Sequence, residues 1–114
     1  GSDEGNNGNG SEAEQASVAF QCSNGTTVWG QSVYVTGNHA TLGNWSPANA
    51  LKLDPGNYPT WSGSFDIPAN TQVEWKCIKR SESNPDAQLV WQSGANNQVQ
   101  TGAAGSSISS SGSF

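Results

Sequence analysis

The segment Val73-Glu74-Trp75-Lys76-Cys77-Ile78-Lys79-Arg80 is the longest clean alternation in the chain, and it constrains the fold more than any other stretch. Val73, Trp75 and Cys77 share one parity, while Glu74 and Lys76 share the other. Successive side chains of a β-strand point to opposite faces, so this segment predicts a strand with an apolar column on one side and an acid and a base on the other. Such a strand gives the core its largest side chain and holds Lys76 out on a rigid element, where a binding site can use it.

Other stretches follow the same period. Val18, Phe20 and Cys22 share a parity within Ser17–Ser23, and Val33 and Val35 do so within Gln31–Thr36. Short strands are expected at Ala50–Leu53, Thr60–Ile67, Gln88–Gln92 and Asn97–Thr101, with a weak edge strand in the Ser- and Gly-rich end after Gly102. Turn residues separate them: Asn24-Gly25, Asp54-Pro55-Gly56-Asn57, Pro68-Ala69-Asn70 and the Pro85 loop. Leu42 is expected to plug the core beneath the Gly37–Pro47 loop. No helical period lasts beyond two turns. Short strands with turn signals every 8–12 residues predict an all-β antiparallel sandwich of about seven to eight strands.

Residues 1–16 carry only Gly, Asn, Ser, Gln, Ala and acids. A segment of that kind cannot bury enough surface to offset an ordering entropy of roughly 1–2 kcal/mol per residue. It is expected to be a disordered linker, with Gly1-Ser2 a cloning scar, leaving residues 17–114 as one domain. Four of the nine acids lie in that segment, so the rest holds five acids against four bases and is near neutral. A near-neutral surface lacks the basic stripe that nucleic acid needs. It also lacks the charge that attracts an anionic membrane, and no apolar run is long enough to span one.

Catalysis has little to draw on. His39 is the one histidine and sits in a polar loop, without a Cys/His set for metal. Asp54, Asp66, Glu74, Glu82 and Asp86 are scattered over turns and strand faces, with no pairing signal for acid–base work. No metal or other cofactor is expected. Cys22 and Cys77 allow one pairing and both fall on apolar parity, which suits a buried bridge and two buried thiols alike.

The five tryptophans divide. Trp75 and Trp61 read as core by parity, whereas Trp29, Trp45 and Trp91 stand among Gly, Asn, Ser and Pro. Indoles on polar loops are either lids folded back on the core or platforms for a flat apolar ligand face. A pyranose ring offers such a face, with hydroxyls at its rim for amides and charged groups.

At these residues the chain resembles the starch-binding domains of carbohydrate-binding module family 20, which are appended to glucoamylases, cyclodextrin glucanotransferases and some amylases. The landmarks run in order: Val18-Ala19-Phe20, Thr27 to Gly37, Leu42-Gly43-Asn44-Trp45, Tyr58-Pro59-Thr60-Trp61, Ile67-Pro68-Ala69, Val73 to Lys79, and Val90 to Asn96. The resemblance implies an immunoglobulin-like sandwich that binds α-1,4-glucan at two sites and does no catalysis. Carried over by motif, the first site comprises Trp45, Lys76, Trp91, Asn96 and Glu74. The second comprises Trp29 and Tyr58, with Asn57 or Asp54 in the polar role that an acid at position 56, here Gly56, plays elsewhere. The family commonly has Leu and Phe where Cys22 and Cys77 stand, and their joint replacement implies a disulfide. Neutral polar residues with many tryptophans suit a secreted carbohydrate-handling domain, a monomer is expected, and the resemblance further implies a module joined to a catalytic domain. Rival expectations are a module for another glycan, a small glycoside hydrolase, and a structural sandwich whose loop tryptophans are lids.

Overall fold

The structure, a computed structural model, describes residues 14–114. The described residues hold nine strands: β1 Gln15–Ser23, β2 Gln31–Gly37, β3 Leu51–Lys52, β4 Asp54–Asn57, β5 Thr60–Pro68, β6 Gln72–Ser81, β7 Val90–Trp91, β8 Asn97–Gln100 and β9 Ser107–Ser113. Two single-turn 3₁₀ segments, Ala40–Leu42 and Pro47–Asn49, lie between β2 and β3. One sheet has the order β9-β1-β5-β4; the other runs β3-β2-β6-β7, with β8 also on β6. The two sheets form the expected sandwich. All pairs are antiparallel except β9, which runs parallel to β1.

Strand β6 is the centre of its sheet. Val73, Trp75 and Cys77 are all buried, and the Trp75 ring meets Phe20 of β1 edge-on at 4.8 Å between centroids. The apolar parities of β1, β2 and β5 meet them, so that Val18, Phe20, Val33, Val35, Trp61 and Ile67 close one core, with Leu42 plugging it from the β2–β3 loop. Trp61 donates from Nε1 to the Gly25 carbonyl, and Trp75 from Nε1 to Ser110 Oγ, so neither buried indole leaves its polar edge unpaired.

The alternation of β6 breaks after Cys77. Ile78 and Arg80 face away from the core yet are also buried. Tyr34 of β2 lies opposite Ile78, and the Arg80 guanidinium stacks on its ring at 3.9 Å, which gives this end of the sheet a small outer cluster.

Cys22 and Cys77 are joined by a disulfide that ties β1 in one sheet to β6 in the other. Strand β1 begins at Gln15, two residues earlier than its alternation predicts, because Ala16 is buried opposite Ile67. The rest of the predicted linker, residues 1–13, lies outside the described residues. Strand β4 replaces an expected loop: all four of its residues are exposed, and its register against β5 shifts between Asp54 and Asn57.

The disulfide closes a separation of 55 residues. Loop-closure entropy then predicts that replacing both cysteines by alanine lowers the unfolding free energy by about 3–4 kcal/mol. Urea unfolding of the oxidised protein and the double variant measures the difference; equal midpoints would show that the bridge does not hold the sheets together.

Candidate binding site

One edge of β6 is shared between two strands. Strand β8 pairs with its first half, Gln72 to Trp75, and β7 with Ile78 and Lys79. The chain between them, Gln92 to Asn96, keeps one main-chain bond to β6, from Gln92 N–H to the Cys77 carbonyl at 2.9 Å, and side chains of β6 and the loop itself hold the rest. The Lys76 ammonium donates to the carbonyls of Gln92 (2.9 Å) and Gly94. The buried Gln92 amide accepts from Cys77 N–H at 3.0 Å and pairs reciprocally with the Asn97 amide. Asn96 donates from Nδ2 to Glu74 Oε1 at 2.8 Å. These bonds fix the loop that follows Trp91 and leave its indole 38% exposed.

Trp45 reaches the same place from the other side. Strand β2 ends at Gly37, which lies against β6: a Cβ there would sit 2.3 Å from the Glu74 carbonyl and 2.8 Å from Leu42 Cδ1. Only glycine permits that approach. The His39 ring then accepts from Thr41 N–H and caps the first 3₁₀ turn, which ends in three successive left-handed residues: Gly43 (φ 81°), Asn44 (φ 51°) and Trp45 (φ 66°). A left-handed tryptophan is an outlier costing on the order of 1–3 kcal/mol, and it persists only where neighbours over-determine it. Here Trp45 N–H donates to the Gly37 carbonyl at 2.9 Å, Asn44 N–H to His39 and Ser46 N–H to Gly43.

Together these segments enclose an open cleft of about 490 Å³ lined by Asn38, Trp45, Glu74, Lys76, Trp91 and Asn96. Five of the six are the residues that the sequence resemblance puts in the first site. Asn38 is the addition. Its Oδ1 accepts from Glu74 N–H at 3.0 Å and its own N–H donates to the Glu74 carbonyl, so it extends β2 as a side-chain mimic of one more ladder rung. An Asn immediately after a strand-ending Gly was the available signal.

A second cleft, of about 510 Å³, opens elsewhere on the domain and is lined by Thr27 to Ser32, Lys52, Pro55, Tyr58, Trp61 and Glu82. Trp29 is fully exposed, at 101% of the reference area, and Tyr58 half-exposed at 51%. The Tyr58 hydroxyl accepts from Thr27 N–H at 3.0 Å, and its ring packs on Trp61 at 6.3 Å. The Trp29–Gly30 turn is pinned by Glu82 N–H on the Gly30 carbonyl. Asn57, paired with Thr60 along β4, is not among the residues that line this cleft. Asp54, whose Oδ1 accepts from Gly56 N–H, is not among the lining residues either. Sequence reasoning did not bring Lys52 and Glu82 here; they are far apart in the chain and meet through the pairing of β2 with both β3 and β6.

Among the described residues there is no group of three His, Cys, Asp or Glu side chains that could hold a metal. No helix among them is long and apolar enough to cross a membrane. A two-sheet sandwich that presents exposed aromatics ringed by amides and single charges has the build of a carbohydrate-binding β-module. The chain belongs to the starch binding domain family, CBM_20, whose model matches residues 15–111. It is 50% identical over 112 residues, 97% of this chain and 20% of the other, to a glucan 1,4-alpha-maltotetraohydrolase of Roseateles saccharophilus. It is 52% identical over 85 residues, 75% of this chain and 13% of the other, to a cyclomaltodextrin glucanotransferase of Klebsiella oxytoca. The chain thus spans only a small part of these relatives. The crystal structure of the family 20 module of a maltotetraose-forming amylase from Pseudomonas saccharophila superposes with a TM-score of 0.78 at 52% identity, covering 86% of this chain and 99% of that one. The Asn-rich beginning and Ser-rich end of the sequence, read alone, also resemble the C-terminal domain of a bacterial maltotetraose-forming amylase.

Gln92 is the bond that the Trp91 loop can least lose. Gln92→Leu keeps the volume but strips the partner from Cys77 N–H and Asn97, at a cost of about 1–3 kcal/mol. Urea unfolding should register that loss, and quenching by iodide should show a more accessible indole; unchanged stability would mean that water replaces the amide without penalty.

Proposed function

We propose that this domain binds α-1,4-glucan, as raw starch, maltooligosaccharide or cyclodextrin, and tethers a covalently linked starch-degrading catalytic domain to the granule. Glucose rings stack on Trp45 and Trp91. Lys76 spends two of its three N–H donors on the Gln92 and Gly94 carbonyls, which leaves one for a sugar hydroxyl. Glu74 and Asn96, bonded to each other, present their remaining acceptor and donor beside it. Trp29 and Tyr58 form the second platform. Family membership supports the ligand class, and the small share of each relative that this chain covers supports a tethered module.

The observation that carries the reading is the strained, tightly bonded placement of Trp45 across Lys76 from an exposed Trp91. Backbone strain of this kind collects at ligand sites, where it pre-organises a binding group. A preformed, shallow site of this sort binds with modest affinity, about micromolar. Two sites on one rigid body make the second contact with a granule intramolecular and raise avidity without new contacts. A neutral glycan surface explains why the folded part needs little net charge. The module is read as secreted and monomeric, with no nucleic acid or membrane as partner.

Central aromatic anchors of a binding site are worth about 2 kcal/mol or more each, so Trp45→Ala should weaken maltoheptaose binding at the first site about thirtyfold, and Trp91→Ala likewise. The double variant should retain only binding at the second platform, and cellohexaose should displace maltoheptaose from neither. Undiminished binding by a folded double variant, read by calorimetry with circular dichroism as the folding control, would overturn the assignment.

A further inference from the structure

The cleft beside Trp29 has a charged wall. Lys52 of β3 and Glu82, just past the end of β6, meet with Nζ 3.3 Å from Oε2. The hydroxyl of Ser32, itself buried, donates to the same Oε2. Both contacts therefore fall on one carboxylate oxygen. The other, Oε1, has no hydrogen-bond partner among the described residues, and Lys52 has N–H donors beyond the one turned to Glu82. The two side chains are about half exposed, at 53% and 50%, and both line the cleft that holds Trp29 and Tyr58. The bond from Ser32 and then the Lys52 ammonium hold the Glu82 carboxyl below the usual carboxylate range.

An acceptor and a cationic donor side by side match one chemical pattern closely: two hydroxyls on adjacent carbons. One O–H donates to the carboxylate oxygen, and the neighbouring oxygen accepts from the ammonium. We propose that Lys52 and Glu82 are specificity-determining residues of the second platform, reading a vicinal diol on the sugar stacked against Trp29 and Tyr58, with buried Ser32 as the positioning residue that aims the carboxylate. This rests on the reading of that cleft as a glucan platform and deepens it. Stacking alone accepts any flat sugar face, and the charged wall adds a requirement for two free neighbouring hydroxyls. A surface ion pair gives little stability by itself, which leaves its side chains free to turn toward a ligand.

The test uses the full 114-residue chain, in a Trp45→Ala, Trp91→Ala background that silences the first site. Two probes are titrated by calorimetry: β-cyclodextrin, and its 2,3-di-O-methyl derivative, in which the diol is blocked. Saturable binding of β-cyclodextrin is expected, about tenfold weaker for the methylated ring. Glu82→Gln and Lys52→Met should each weaken the native ring about five- to tenfold, as loss of a hydrogen bond to a charged group does. They should leave the methylated ring within about twofold, closing the gap between the probes. No binding at all in the background chain would remove the platform itself, and the inference with it. Binding that persists with an unchanged gap in both variants would overturn the inference alone. So would an equal loss for both probes, accompanied by a lower Tm, since that is the signature of a pair that merely braces the end of β6 against β3.

Discussion

One edge of strand β6 pairs with β2, and two short strands fill the other. Strand β8 takes the first half and β7 the second, and the ladder cannot be continuous across the gap. An unpaired stretch of backbone beside a central strand must find other partners. The gap therefore becomes a loop whose carbonyls are gathered by Lys76 and whose interior is filled by the Gln92 amide. The lysine that satisfies the backbone is the same one that faces the cleft. A topological necessity of the sheet and the chemistry of the site are thus one set of bonds. The opposite face of the same strand carries Trp75 and Cys77, which join the sheets through aromatic packing and the disulfide.

The two aromatic clefts are built by different means. Trp45 is over-determined: a glycine-only contact of β2 on β6, a histidine-capped turn and three left-handed residues leave its backbone one conformation. Trp29 projects fully into solvent from a two-residue turn, pinned mainly through Gly30 and the hydroxyl of Tyr58 on Thr27. A platform held rigid before binding loses less entropy on capture than one that must be ordered. On this ground the first cleft is the better prepared, and the second depends more on polar groups around it, which is where Lys52 and Glu82 stand.

The core was legible because alternation is a direct consequence of the pleat. Val73, Trp75 and Cys77, and their counterparts Val18, Phe20 and Cys22, could be placed inside without knowing any partner. The loop tryptophans could be singled out by their polar neighbours, and the family motif named Lys76, Glu74 and Asn96 beside them. Hardest to read was anything fixed by backbone alone, and β9 could be expected only as a weak edge strand. Strand β9 is a run of serines with Ile108, and it is a strand because its main chain pairs with β1, in parallel, from Ser107 to Ser113. Strand β4 consists of the turn-forming residues Asp54-Pro55-Gly56-Asn57, and its irregular register kept its strand character out of any side-chain pattern. Asn38 and Gln92 act as substitutes for main-chain groups, a role no periodicity marks. The resemblance also put Asn57 or Asp54 in a polar role at the second cleft, and neither is among the residues that line it.

The central claim is that the fold presents two preformed aromatic platforms for a curved α-1,4-linked glucan. Calorimetric titration of the unaltered chain with β-cyclodextrin tests it most directly. Saturable heat at two sites per chain, with affinities about micromolar, is the predicted result. No saturable heat from a chain whose circular dichroism shows it folded would contradict the claim.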